Sequence, residues 1–171
     1  MLNNVWILPT GDEIKNGIVR DTDSPMIMSI ILREFPDCAV HRASPLNDNL
    51  DAISRKIVSC ADEGADLIIS IGGSGEGSKH SNILAHDYTH HGMDAVLEEK
   101  CSTALYGKNG HMWSRLVCGF YKKTLVINVP GPYEEAKVAM EAFVDAYNHQ
   151  EPDIEKINSA MAEAVSMKYV K

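Results

Sequence analysis

The sequence predicts an α/β domain, a three-layer sandwich with a mostly parallel central sheet. Three observations carry that prediction. Apolar, strand-like runs alternate with helix-patterned segments along the chain. One run, Leu67–Ile71, is apolar or small at every position, as a strand buried on both faces requires. Three strand ends also empty into polar or glycine-rich loops: Thr10–Glu13, Gly72–Asn82 and Pro130-Gly131. On a parallel sheet these converge on the carboxyl edge, where ligands sit.

Taken in order, Val5–Leu8 is a short strand running into Pro9-Thr10-Gly11-Asp12-Glu13, and Asn16-Gly17 marks a turn. Asp23 or Ser24 caps a helix with Pro25 at its first position; Met26–Phe35 is apolar on nearly all sides, and Pro36-Asp37 ends it. Cys38–Ala43 is a second strand. Leu50, Ile53, Ile57 and Cys60/Ala61 form a helical stripe stopped by Gly64. After Leu67–Ile71 and its loop, Ile83–His91 reads as a short helix ending at Gly92, and Met93–Tyr106 as another helix. Lys108-Asn109-Gly110 is a turn. Arg115–Tyr121 and Thr124–Val129 read as two strands, antiparallel neighbours around Lys122-Lys123. Pro130-Gly131-Pro132 leads into a helix ending near Asn148. Glu151-Pro152-Asp153 starts a last helix with Ile154, Ile157, Met161 and Val165 on one face. Residues 1–150 thus form the domain, and 151–171 a C-terminal amphipathic helix that packs on it or on a partner chain.

The glycine loop is the most informative stretch. Gly72, Gly73, Gly75 and Gly77 follow the central strand, then Ser78, Lys79, His80, Ser81 and Asn82. Clustered glycines let the backbone turn sharply and approach a ligand, and a following helix start offers N–H groups to an anion. The loop therefore reads as an anion- or phosphate-binding element rather than a plain turn. It carries neither GKS/GKT nor GxGxxG.

The 171 residues suffice for one full core. A net charge of −8 and a pI near 5.3 argue against non-specific nucleic-acid binding. No run of 18 apolar residues and no basic leader are visible, so neither a transmembrane helix nor a signal peptide is expected. Cys38, Cys60, Cys101 and Cys118 are widely spaced, fitting buried thiols in a reducing cytoplasm.

Several motifs together have a family likeness. These are Thr10-Gly11-Asp12-Glu13 with Gly17, Ile18 and Asp21-Thr22-Asp23; Asp48 before the second helix; Asp66–Gly75; Trp113-Ser114-Arg115 with Gly119; and Thr124–Gly131. In order and spacing, over roughly residues 5–147, the chain resembles the molybdopterin-binding domain of molybdopterin adenylyltransferases, molybdopterin molybdotransferases and competence-damage-inducible proteins. The resemblance implies that fold, molybdopterin as ligand, a role in molybdenum-cofactor biosynthesis, and Mg-ATP-dependent adenylylation as the reaction. A single short domain is most similar to the adenylyltransferase branch. A homo-oligomer, a trimer by the same resemblance, is expected, with no nucleic-acid or membrane partner.

Adenylyl transfer joins two phosphates, so the protein must position anions and neutralise charge. Gly72, Gly73, Ser74, Gly75 and Gly77 are the expected phosphate cradle, with Ser78, Asn82 and Ser114 adding hydrogen bonds. Lys79 and Arg115 are the candidate cations. Asp12, Glu13 and Asp48 are the candidate carboxylates, and Mg²⁺ is expected near Asp48 if anywhere. Pro130 and Gly131 complete the edge. The family's loop usually runs on as GG.G….D.T; here His80 stands for the aspartate and Asn82 for the threonine. Exchanging a hard oxygen for an imidazole nitrogen weakens Mg²⁺ binding. Two outcomes stay open: pterin binding kept with Mg-ATP chemistry lost, which is favoured, or His80 meeting a phosphate directly. Asp48 and His80 are the candidate catalytic residues. A non-catalytic carrier or sensor and a competence-type nucleotide pyrophosphatase, the latter suggested by Thr10–Glu13, are the rival functions. His86, His90 and His91 with Asp87 read as a solvated polar face in preference to a metal site.

Overall fold

The computed structural model describes residues 2–75, 88–148 and 150–169. Its elements are β1 (Asn4–Pro9), α1 (Asp12–Lys15), α2 (Asp23–Glu34), β2 (Ala39–Arg42), α3 (Leu50–Asp62), β3 (Leu67–Ile71), α4 (Thr89–Val96), β4 (Glu99–Tyr106), β5 (Met112–Tyr121), β6 (Thr124–Val129), α5 (Tyr133–Ala146) and α6 (Ile154–Met167). One six-stranded sheet runs in the order β2-β1-β3-β6-β5-β4. The first four are parallel, and β5 and β4 add an antiparallel edge. The expected antiparallel pairing of the two strands around Lys122-Lys123 is observed.

Side-chain alternation splits the core into two layers. Leu67, Ile69, Ile71, Leu125, Ile127 and Val129 face one cluster with α2, α5 and α6. Ile68 and Val126 face the other with α3 and α4. Every residue of β3 and β6 is buried, which is why both strands read as largely apolar runs, broken only by Ser70, Thr124 and Asn128. Ile154, Ile157, Met161 and Val165 of α6 lie in the first cluster, so this helix packs on its own domain, against α5, β4 and β5. The four cysteines are free; Cys38, Cys60 and Cys118 are buried and Cys101 half-buried, and burial pushes all four thiols up, Cys101 to about 11.

The expected helix over Met93–Tyr106 is wrong. Helix α4 ends at Val96 and the chain turns into β4 at Glu99. Ala104 and Leu105 favour helix locally, but β4 pairs with β5 along its whole length, and that pairing overrides propensity. Gly92 is not a stop either. It sits inside α4, where an added Cβ would lie 2.9 Å from Ile53 Cγ2, so its lack of a side chain lets α4 settle on α3. The Thr10–Glu13 turn continues into the single helical turn of α1.

Helix α2 also starts differently. Asp23 is its first residue, and the capping carboxylate is Asp21, whose Oδ1 accepts from the Ser24 amide at 2.9 Å. Asp21 also pairs with Arg42 at 2.8 Å, tying α2 to the end of β2. Burial pushes the Asp23 carboxyl up to about 6, against the pull of the Thr22 hydroxyl and with help from Asp21. The unfolded carboxyl titrates near 3.8, so the folded state holds this proton to higher pH. The stability tied to it is present below about pH 4 and lost as the pH rises through 6. Asp23→Asn is expected to gain about 1 kcal/mol at neutral pH and to flatten the slope of stability between pH 4 and 6. Urea melts across that range check this; an unchanged slope would assign it to another group.

Candidate functional site

The carboxyl edge is assembled by short bonds between strand ends. The Thr10 amide and hydroxyl both donate to the Ile71 carbonyl, at 3.0 and 2.8 Å. The Thr10 proton being used, Thr89 at the start of α4 donates to Thr10 Oγ1 at 3.0 Å. The Gly11 amide donates to Leu46, and the Gly72 amide to Val129, at 3.0 and 3.1 Å. Loops after β1, β2, β3 and β6 are thereby locked together.

The glycine loop sits in a fork. Strands β5 and β6 pair only as far as Cys118↔Ile127. Beyond that the buried Asn128 side chain replaces the ladder: Oδ1 accepts from the Val117 amide at 2.6 Å and Nδ2 donates to the Arg115 carbonyl at 3.0 Å. Into the opened space comes Ser74, whose carbonyl accepts from the Arg115 amide at 2.7 Å and whose hydroxyl accepts from Ser114 at 3.0 Å. Gly72 and Gly73 take φ of +82° and +59° to make the turn. The Gly73 carbonyl accepts from His90 Nδ1 at 3.3 Å, so that nitrogen carries the proton. Burial and the neighbouring His91 keep the His90 imidazole below its usual pKa, hence neutral. His90 is therefore a buried brace of the loop, not part of a solvated face. His86 and Asp87 lie outside the described residues, and among the described residues no three His, Cys, Asp or Glu side chains are placed to hold a metal.

On one side of the loop, Asp12 and Asp48 cross-brace. Asp12 Oδ1 accepts from the Asp48 amide and Asp48 Oδ2 from the Asp12 amide, both at 3.3 Å. Asn47 donates to Asp12 at 2.8 Å and accepts from Lys15. Two carboxylates stand at the rim, Asp12 exposed and Asp48 half-buried, with Glu13 exposed beside them. Mg²⁺ is commonly held by one or two carboxylates plus substrate phosphates, and this donor set fits that pattern. On the other side lies a pocket of about 780 Å³, lined by Ser74, Trp113, Pro130, Glu135, Ser166 and Tyr169 among others. The Tyr169 hydroxyl donates to Glu135, which raises the phenol to about 12; burial pushes the Glu135 carboxyl up, against that hydrogen bond.

A family of domains described as "Probable molybdopterin binding domain" matches residues 6–150. The chain belongs to this family. Among curated proteins, a molybdenum cofactor biosynthesis bifunctional protein of Chlorobaculum tepidum is 28% identical over 148 residues, 85% of this chain. The chain spans 46% of that relative's length. The molybdopterin biosynthesis enzyme MoaB of Thermus thermophilus superposes with a TM-score of 0.67 at 23% identity, over 93% of this chain and 98% of that one. CinA of Thermoplasma acidophilum, described as of unknown function, gives 0.63 at 15% identity, over 84% and 97%. At these identities the structural likeness establishes the fold.

In this molybdopterin-binding domain, the predicted residues Asp12, Glu13, Asp48, Gly72, Gly73, Ser74, Gly75, Ser114, Pro130 and Gly131 do gather at one edge. An added Cβ on Gly131 would stand 3.7 Å from Gly72 Cα, so the two loops nearly touch. Gly77, Ser78, Lys79, His80 and Asn82 lie outside the described residues. Arg115 is placed differently from expectation. Its backbone meets the loop, but its guanidinium pairs with Asp94 of α4 at 2.5 and 3.3 Å and with Ser102 at 3.0 Å. Burial would raise the Asp94 carboxyl, yet Arg115 and Lys100 hold it below the usual range, which marks a settled ion pair. A ligand phosphate would have to compete with that carboxylate. Sequence reasoning missed Thr89, Asn128, Glu135 and Tyr169. Only Asn128 left a signal, as a polar residue inside the otherwise apolar run Leu125–Val129.

Proposed function

We propose that this domain binds molybdopterin in molybdenum-cofactor biosynthesis, with the ligand phosphate against the glycine loop. The observation that carries the reading is the fate of the loop's carbonyls. Those of Gly73 and Ser74 are tied back into the scaffold by His90 and by the Arg115 amide. Acceptors that would repel an anion are thus turned away, in a loop whose glycines permit close approach. Family membership supplies the pterin. The C. tepidum relative is named for the same biosynthesis.

Adenylylation with Mg-ATP is the reaction to test. A bound Mg²⁺ would neutralise phosphate charge, held by Asp48 and Asp12. The attacking phosphate is already an anion, so no protein nucleophile is needed and this chain's residues act by positioning. A non-catalytic carrier is the second reading. It is favoured by His80 in place of the loop aspartate and by the engagement of Arg115 with Asp94. A homo-oligomer, a trimer in the first instance, is the proposed assembly, and light scattering reads it directly.

The deciding experiment incubates the protein with molybdopterin, Mg²⁺ and ATP, and scores both bound pterin and adenylylated product. Product supports the adenylyltransferase, and binding without product supports the carrier. Absence of both refutes the pterin reading. His80→Asp is expected to raise the Mg-ATP-dependent rate about tenfold or more by restoring a hard oxygen ligand. An unchanged rate would mean that His80 does not limit the chemistry.

A further inference from the structure

Two of the residues that line the 780 Å³ pocket lie beyond the family match. That match ends at residue 150, whereas Ser166 and Tyr169 come from the end of α6 and the residues just after it. Tyr169 holds its ring at 58° to that of Trp113, with centroids 4.7 Å apart, and donates its hydroxyl to Glu135. Glu135, in the first turn of α5, is only 6% exposed, yet it lines this same pocket. A carboxylate so enclosed is costly unless donors fill its hydrogen-bonding capacity. One tyrosine hydroxyl uses a single site on a group that offers about four.

We infer that Glu135, held by Tyr169 and flanked by Trp113, selects the ligand's heterocycle by accepting two adjacent N–H donors, the aminopyrimidinone edge shared by pterins and guanines. This deepens the pterin reading and rests on it. A carboxylate accepts from both the ring N–H and the exocyclic amine of that edge. An adenine edge instead presents an amine beside a ring nitrogen lone pair, which the carboxylate repels. Trp113 and Tyr169, tilted to one another, line the pocket beside Glu135 and give a flat ring aromatic neighbours. Ser74 belongs to the glycine loop and lines the same pocket as Glu135, so a ring at Glu135 sends its phosphate arm toward the loop. The volume lies within the range of small-molecule sites.

Calorimetric titration of the full chain with 6-hydroxymethylpterin, GMP and AMP tests this, alongside Glu135→Gln and Tyr169→Phe. The intact protein is expected to bind the pterin, and to bind GMP at least tenfold more tightly than AMP. Glu135→Gln should lose about ten- to hundredfold for those two while leaving AMP unchanged or improved. Tyr169→Phe, which keeps the ring and loses the hydroxyl, should weaken pterin a few-fold in the same direction. Thermal melts confirm that both variants fold. Equal pterin binding by Glu135→Gln, or AMP bound as tightly as GMP, overturns the inference while leaving the glycine-loop reading standing. GMP preferred over AMP, the two having equal phosphate, upholds the edge selection. Failure of the intact protein to bind either pterin or molybdopterin sinks both readings.

Discussion

Gly73→Ala is expected to cost about 2–4 kcal/mol of stability and more than tenfold in pterin affinity. The new Cβ would lie 2.3 Å from Thr89 Oγ1 and 3.0 Å from Thr89 Cβ, at a residue whose φ is +59°. Something must move. If Thr89 turns away, the Thr10–Thr89 hydroxyl contact that pins α4 over β1 is lost. If the loop moves, the His90 bond to the Gly73 carbonyl breaks and the glycine turn opens. Gly110→Ala isolates the backbone part of the effect. It has a φ of +75° but nothing within 4 Å of its Cβ, so only conformational strain of about 1 kcal/mol is expected. Urea denaturation and pterin titration of both variants check the contrast. Equal costs at the two positions would remove close packing as the reason for glycine at 73. Adding Thr89→Ala to Gly73→Ala should restore part of the loss by clearing the nearest atom.

The second large effect is expected at Asn128. Asn128→Ala leaves the Val117 amide and the Arg115 carbonyl without their partners in a fully buried position, at about 3 kcal/mol. Asn128→Asp should be no better, since it keeps an acceptor for Val117 but places a carboxylate where the Arg115 carbonyl needs a donor. The damage should spread to the site, because the next bond along β5 is the Arg115 amide to Ser74. Hydrogen exchange resolves this by residue: the Val117 and Arg115 amides should lose protection together in Asn128→Ala. A loss below about 1 kcal/mol, with both amides still protected, would show that the fork closes by another route.

Much of the fold was legible because burial leaves periodic marks. Leu67–Ile71 and Thr124–Val129 are mostly apolar because both their faces are covered, and α3 shows its stripe because only one of its faces is. Strand β4 was illegible for the converse reason. It is an edge strand with mixed exposure, its Ala104-Leu105 pair suits a helix, and only its partner β5 decides otherwise. At the site, the backbone elements were readable from glycine placement and the rim carboxylates from their strand ends. Side-chain destinations were not. The Arg115–Asp94 pair joins residues 21 apart, and the Tyr169–Glu135 bond joins residues 34 apart. Such pairings depend on which face of which strand each residue occupies, and the sequence alone does not specify that.

The position of β6 bears on how the chain is made. In the sheet it lies between β3 and β5, yet both of those neighbours precede it along the chain. A nascent chain that has emerged only as far as Lys123 therefore carries two central strands with open, apolar, unpaired edges. Such edges recruit other chains. β6 enters last of the six, and the distant pairings it makes carry the loop-closure entropy that slows folding. Until it docks, Gly72 has no Val129 carbonyl to meet and Ser74 has no fork to enter. The sheet closes before the pocket does, because Glu135, Ser166 and Tyr169 lie further along the chain, so a ligand present during synthesis can reward only chains that have already passed the aggregation-prone stage.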